Sequence, residues 1–276
     1  MEPKVAENAA NLALAIGLAG QAADRGARLV VLPELCTSGY VFRTKAEARA
    51  GAEALTDGPS LRAFETFCRE RDLFVAFGFA ERDGEALYNS AALVGPGGLV
   101  GSYRKAHLWG EENLFFEPGD RGFPVFQTAI GRIGMAICYD VWFPETFRLM
   151  ALQGAEIVCV PTNWVPMPDQ PAGQLAMANM LTMAGAHTNS VFVACADRIG
   201  TERGQPFEGQ SLIVGCNGWP VAGPASRDRE EIVIADLDLL DARRKRAWNA
   251  FNQPLRDRRT DVYSELLGAD IRRSWY

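Results

Sequence analysis

Gly134-Met135-Ala136-Ile137-Cys138-Tyr139-Asp140, followed by Phe143-Pro144-Glu145, is the stretch on which the reading of the fold turns. It reads as a buried apolar strand that ends in a cysteine and passes into a helix. A thiol lifted into the turn before a helix sits at that helix's positive end, where the thiolate is favoured, so the segment presents a nucleophile. Two more segments end in an exposed charge after an apolar or strand-like run. Leu29-Val30-Val31-Leu32-Pro33-Glu34 leaves a carboxylate, and Tyr103-Arg104-Lys105-Ala106-His107 leaves an ammonium. Amide hydrolysis needs a nucleophile, a proton carrier and a cation or donors for the developing oxyanion, and Cys138, Glu34 and Lys105 are those three parts.

The 276 residues, 48% hydrophobic and 22% charged, suit a soluble globular chain. A net charge of -6 argues against a non-specific nucleic-acid binder. The start, Met1-Glu2-Pro3-Lys4, has no apolar segment behind it, so a cytoplasmic location is expected. The long uncharged stretch 170–196 carries Asn179, Thr182, Gly185, Thr188, Asn189 and Ser190 and is too polar for a membrane span. The six cysteines lack any CxxC spacing and read as reduced, packed thiols; Cys159 and Cys195 belong to that class. With only His107 and His187 in the chain, no metal site is expected.

Outward from the cysteine, a layout recurs. A helical pattern through Ala9, Leu12, Ala15 and Leu18 leads to Gly26-Ala27-Arg28-Leu29-Val30-Val31-Leu32-Pro33, and a second through 147–152 leads to Gly154-Ala155-Glu156-Ile157-Val158-Cys159-Val160-Pro161. This is a faint internal duplication. Between the two units the pattern predicts a helix over 60–71 and strands over 74–80, 88–94 and 99–103, the last two joined by the turn Gly95-Pro96-Gly97-Gly98. Beyond them it predicts a helix within 172–187 and strands over 191–196, 211–214 and 231–236. Helices between strands, together with hairpins, imply mixed sheets covered by helices.

Leu32-Pro33-Glu34, Tyr103-Arg104-Lys105 with Phe115-Phe116-Glu117-Pro118-Gly119-Asp120, and Cys138-Tyr139-Asp140 with Phe143-Pro144-Glu145 occur in the order and spacing of one family. On these motifs the chain resembles the nitrilase superfamily of carbon-nitrogen hydrolases over nearly its whole length. The resemblance implies an α/β fold, a four-layer αββα sandwich of two mixed β-sheets, as one domain over 1–276. It also implies a homodimer or higher homo-oligomer with the arginine- and aromatic-rich tail 243–276 at a subunit interface. Relatives carry an apolar strand of roughly six to eight residues, enough to cross a sheet, before the position matching Met1. No such strand precedes Met1 in this sequence, so the expectation is either a start placed too late or a first sheet without it.

In the mechanism the resemblance implies, Glu34 takes the thiol proton and Cys138 attacks the carbonyl carbon. Lys105 and the backbone N–H of Tyr139 hold the oxyanion, Glu34 protonates the departing ammonia, and water activated by Glu34 then hydrolyses the thioester. The family's second glutamate lies seven residues after the lysine, at Glu112, where the flanking motifs favour it over its neighbour Glu111. A base acting near neutral pH needs burial to outweigh the pull of the lysine. His107 and His187 are read as structural or capping groups. Trp142, Asn163 and Trp164 lie in loops past the strand ends and are candidate substrate contacts with Tyr139.

The substrate implied is a small-molecule amide, with no cofactor, nucleic acid or membrane partner. Tyr139-Asp140 looks like the branches that hydrolyse small aliphatic or ω-amides, since true nitrilases usually carry Trp-Glu there. Met183-Ala184-Gly185-Ala186-His187-Thr188-Asn189 departs from the amidase pattern Arg-Ala-x-Glu-Asn, with Gly185 and Thr188 at its charged positions. It is somewhat similar to N-carbamoyl amino acid amidohydrolases, which keeps a carbamoyl substrate open. A nitrilase and a non-catalytic scaffold on the same fold are further alternatives.

Overall fold

Alternation along the strands decides which layer each residue faces, and it builds the molecule in two halves. The computed structural model describes residues 1–171 and 173–263. In the first half, helix α1 (Asn8–Asp24) turns Ala15, Ala19 and Ala22 inward and leads to strand β1 (Leu29–Val31). Helix α2 (Lys45–Gly51) follows, its first turn capped by the Thr44 side chain accepting from the Glu47 N–H. Next come α3 (Pro59–Arg71), with proline in its first turn, and strands β2 (Phe74–Asp83), β3 (Ala86–Gly95) and β4 (Gly98–Arg104). β1 pairs in parallel with β2, while β2, β3 and β4 form an antiparallel meander in the order β1-β2-β3-β4. On β2, Val75, Phe77 and Phe79 pack under α1 and α3, whereas Phe74 and Ala76 join the core between the sheets. A strand covered on both faces has to be apolar at successive positions, and β2 is.

The second half repeats the plan. Strands β5 (Val125–Thr128) and β6 (Gly131–Met135) form a hairpin, and α4 (Pro144–Leu152) leads to β7 (Ile157–Thr162). Then come α5 (Met177–Asn189), β8 (Phe192–Asp197), the short ribbon β9 (Thr201–Glu202) and β10 (Gln205–Pro206), and β11 (Leu212–Val214) with β12 (Pro220–Ala222). The larger sheet runs β12-β11-β8-β7-β6-β5, parallel across β6, β7 and β8 and antiparallel elsewhere. Phe147 and Met150 of α4 and Ala186 of α5 pack on its outer side, and its inner side meets the first sheet. The fold is therefore an αββα sandwich of two mixed sheets. The duplicated segments become β1 and β7. Because β4 runs parallel to β1, the segments that follow β1 and β4 leave the first sheet at one end, and Glu34 and Lys105 meet there.

Several elements differ from the sequence expectation. Residues 231–236 form no strand; Ile232, Val233, Ile234 and Ala235 instead line a cavity of about 290 Å³ together with Leu29, Val30 and Val31 of β1. Among the described residues β1 is accordingly an edge strand. Helix α5 begins only at Met177, after a loop containing Pro171 and Gly173 that is fastened by Gln210, whose Oε1 accepts from the Ala176 N–H at 3.0 Å. Helix α2, strand β5 and the β9–β10 ribbon had no clear sequence signal, being short and half-exposed. Of the tail, the described part to Tyr263 holds only two short helical turns, Asp241–Arg244 and Thr260–Tyr263, and Trp275 lies outside the described residues. Among the described residues no helix is long and apolar enough to cross a membrane.

Candidate active site

Glu34 stands just past β1 in a loop that β2 clamps. The Gly78 N–H donates to the Pro33 carbonyl at 3.2 Å, and the Cys36 N–H donates to the Gly78 carbonyl at 3.0 Å. A Cβ on Gly78 would lie 2.6 Å from Glu34 Cα, so only glycine allows this approach. From the other sheet, Asn163 Nδ2 donates to the Glu34 carbonyl at 2.9 Å. Gly78→Ala is expected to displace Glu34 by a fraction of an ångström and lower kcat about 100-fold, with a lower Tm. Steady-state kinetics and thermal unfolding of that variant check it.

Lys105 leaves β4 under similar control. Its N–H donates to the Asn89 carbonyl at 2.8 Å, and the Lys105 carbonyl accepts from the Gly119 N–H at 2.8 Å. A Cβ on Gly119 would collide with the Arg104 carbonyl. Arg104 is fixed in turn by Glu81 at 2.6 Å and Asp83 at 2.7 Å. Lys105 Nζ donates to Glu34 Oε1 at 2.6 Å and to Glu112 Oε1 at 2.7 Å, all three side chains being buried. Asn89 Nδ2 adds a bond to Glu34 Oε1 at 2.7 Å, and Glu34 Oε2 has no partner. Glu112 reaches the lysine from a short 3-10 turn, Gly110–Leu114, whereas Glu111 on the same turn is exposed.

These contacts set the charges. Burial raises the Glu34 carboxyl from 4.5 to about 6 against the opposing pull of Lys105, with the Glu112 charge adding to the rise. Burial alone would lower Lys105, but the Glu112 and Glu34 carboxylates outweigh it and hold the ammonium above its ordinary range. Lys105 is a cation at every working pH, and Glu34 is a base poised near neutrality.

Cys138 begins a five-residue 3-10 turn, Cys138–Trp142, with φ 47°, a left-handed conformation that a non-glycine residue adopts only under constraint. Buried Asp140 supplies the constraint. Its Oδ2 accepts from the Ile137 N–H at 2.8 Å and from the Tyr103 hydroxyl at 2.7 Å, and its Oδ1 meets the His107 N–H at 3.1 Å and His107 Nδ1 at 2.7 Å. His107 is thus spent on Asp140 and stacks on Phe143 with ring centroids 3.6 Å apart. The thiol itself corrects a sequence expectation. Burial first, and the Glu34 charge second, push it well above its ordinary value, with Lys105 pulling the other way. In so short and dry a turn, desolvation outweighs the helix-end field, so the resting group is a neutral thiol that needs a base.

Beside the thiol lies a cavity of about 10 Å³, room for about one water-sized sphere. Cys138, Tyr139, Trp142, Asn163 and Trp164 line it, joined by Trp109, Val165 and Met167. Tyr139 sits between Trp109 and Trp142, at centroid distances of 4.9 and 5.7 Å. Asn163 Oδ1 and Trp164 Nε1 are buried without a partner. The sequence reading missed Trp109, Asn89 and Tyr40, whose hydroxyl donates to Glu112 Oε1 at 2.6 Å. Asn89 alone had a detectable signal, as an amide in the middle of an otherwise buried strand.

Residues 1–247 match the family described as carbon-nitrogen hydrolase. The chain is 40% identical over 263 residues to a nitrilase of Pyrococcus abyssi, covering 95% of this chain and 96% of that protein. It is 36% identical over 279 residues to an N-carbamoylputrescine amidase of Solanum tuberosum, covering 94% and 90% respectively. A solved mutant of the amidase from Nesterenkonia sp. AN1, showing Michael addition of acrylamide at the active site cysteine, superposes with a TM-score of 0.77 at 26% identity, over 96% of each chain. Alignment this nearly end to end carries the family with it: the chain belongs to the carbon-nitrogen hydrolases and acts on the C–N bonds of amides.

Proposed function

We propose that the protein is a thiol amidohydrolase that converts a small aliphatic or ω-amide to a carboxylic acid and ammonia through a thioester on Cys138. The observation that carries this reading is the buried set of Glu34, Lys105 and Glu112 beside a neutral thiol, because a protonated nucleophile with a base raised to about 6 and a fixed ammonium is a complete set for acyl transfer. Glu34 takes the thiol proton as Cys138 attacks. Lys105 and the Tyr139 N–H then hold the oxyanion. Glu112 keeps the ammonium in place. The confined, aromatic-walled cavity, with Asn163 and Trp164 among its lining residues, supports a short neutral acyl group over a bulky or charged one.

The N-carbamoylputrescine amidase relative favours a second reading, a carbamoyl substrate. Ammonia release from short aliphatic amides, ω-amides, N-carbamoyl compounds and nitriles, with Cys138→Ser and Glu34→Gln as controls, separates the two. Turnover confined to carbamoyl compounds or nitriles would overturn the first. The six free, buried cysteines support action in the reducing cytoplasm. Leu149, Leu152 and Met180, exposed on α4 and α5, and Trp248 of the tail, stacked on His187 of α5, support pairing of two copies through this face. Sedimentation as a monomer would contradict that pairing.

A further inference from the structure

Glu34 and Glu112 share one ammonium and compete for one proton. Lys105 Nζ donates to Oε1 of each, so two carboxylates and one ammonium leave a negative charge in a closed site. The chemistry proposed above hands this pair the proton of Cys138, and only one of the two carboxylates puts it to use.

The two are dressed differently. Glu34 takes both of its donors, Lys105 and Asn89, on Oε1, and its Oε2 is buried and empty. Glu112 takes Lys105 and the Tyr40 hydroxyl on Oε1, and Asn89 at 3.4 Å on Oε2. Every donor to a carboxylate favours its ionised form, so the empty oxygen of Glu34 is where a proton settles.

Tyr40 is built into place from outside the cluster. Its N–H and that of Val41 donate to Glu202 Oε2, each at 2.9 Å, and the same oxygen takes Arg198 Nη1 at 3.0 Å. The Arg198 guanidinium lies 4.1 Å over the Phe207 ring, which the Tyr40 ring meets edge-on at 5.8 Å. Burial, with the Glu112 and Glu34 charges, keeps the phenol protonated well beyond its ordinary range, so it remains a donor. The charged or titratable groups around it are Glu112, Glu34, Lys105 and Cys138 on the site side and Glu202 and Arg198 on the backbone side.

We propose that Tyr40 is a positioning residue of this active site: by donating to Glu112 Oε1 it keeps Glu112 ionised, so that the proton leaving Cys138 goes to Glu34 Oε2 and returns from there to the departing amine. The inference rests on the thiol-amidase reading. As the S–C bond forms, the S–H proton moves to Glu34 and the carbonyl π pair moves to oxygen. As the C–N bond breaks, the oxyanion pair re-forms the carbonyl and that proton goes to nitrogen; water then hydrolyses the thioester to the acid and the free thiol.

Tyr40→Phe keeps the ring against Phe207 and removes only the hydroxyl. Glu112 then becomes a rival resting place for the proton. The expected result is a fall of about tenfold in kcat, a KM within about twofold, and an acid limb of kcat/KM displaced upward by about one pH unit. In a Glu112→Gln background, where no carboxylate competes, Tyr40→Phe is expected to move neither quantity. An unmoved acid limb, with or without a lower Tm, or an equal loss in the Glu112→Gln background, would overturn the assignment. Alkylation of Cys138 by iodoacetamide as a function of pH reads the same proton transfer without amide turnover. A wild-type chain inert toward every amide would sink the functional reading, while the alkylation profile of Tyr40→Phe would still decide the role of Tyr40.

Discussion

Cys138→Ala is expected to remove amide turnover, with a fall of about 10⁵ to 10⁶ in kcat, while leaving the fold intact. The φ of 47° at this position is imposed by the Asp140 network, which involves Ile137, Tyr103 and His107 but not the sulfur. Alanine meets the same constraint, and the secondary structure and the core around β6 and β7 stay in place. Cys138→Ser is expected to fall almost as far, because a hydroxyl in so dry a site is a weaker nucleophile for a base near 6 to activate. Ammonia release and thermal unfolding of both variants check this. Turnover within tenfold of the wild type in Cys138→Ala would remove the thiol from the chemistry.

The second large effect is on stability. Lys105→Met takes the one ammonium from between Glu34 and Glu112 and leaves two carboxylates facing each other without water. Removing one member of a buried ionic cluster costs about 3–5 kcal/mol. The pH dependence has a definite sign. Without the lysine both carboxyls hold their protons more tightly in the folded chain than in the unfolded one, so the folded state binds more protons and stability falls as pH rises. The deficit is therefore expected to be larger at about pH 8 than at about pH 5. Urea unfolding at the two pH values measures it, and a deficit that grows on acidification would contradict the shared-ammonium account. In the wild type the same logic governs activity. Glu34 must be ionised to take the thiol proton, and its carboxyl is raised to about 6, so turnover is expected to rise with pH up to and just beyond that value and to fall about tenfold per unit below it.

Much of this was legible because Glu34 and Cys138 sit just past buried apolar runs and Lys105 just past β4. A residue in that position can only lie at a sheet end, and parallel strands bring such ends together. Mixed sheets covered by helices were legible in the alternation of helical and strand-like patterns, with Leu29-Val30-Val31-Leu32 as an unbroken apolar run, while the four-layer sandwich was implied by the family resemblance. What stayed hidden depends on contacts between segments distant in sequence. Tyr40 lies in the loop Thr37-Ser38-Gly39-Tyr40, and nothing local announces that Glu202, some 160 residues on, seats it on Glu112. Residues 231–236 have a strand's composition but pair with no strand among the described residues; the Ile232 carbonyl instead accepts from Arg25 Nη1 at 3.2 Å. The protonation of Cys138 was misread for a related reason: a helix-end field is a local property, whereas burial by two sheets is not.

The most direct test of the central claim is the mass of the protein after brief incubation with propionamide and rapid acid quench, followed by mapping of the peptide that contains Cys138. The account predicts a mass gain equal to the propionyl group on that peptide, absent in Cys138→Ala and in Glu34→Gln. Rapid turnover of propionamide with no acylated Cys138 at any quench time, and with activity surviving in Cys138→Ala, would contradict it.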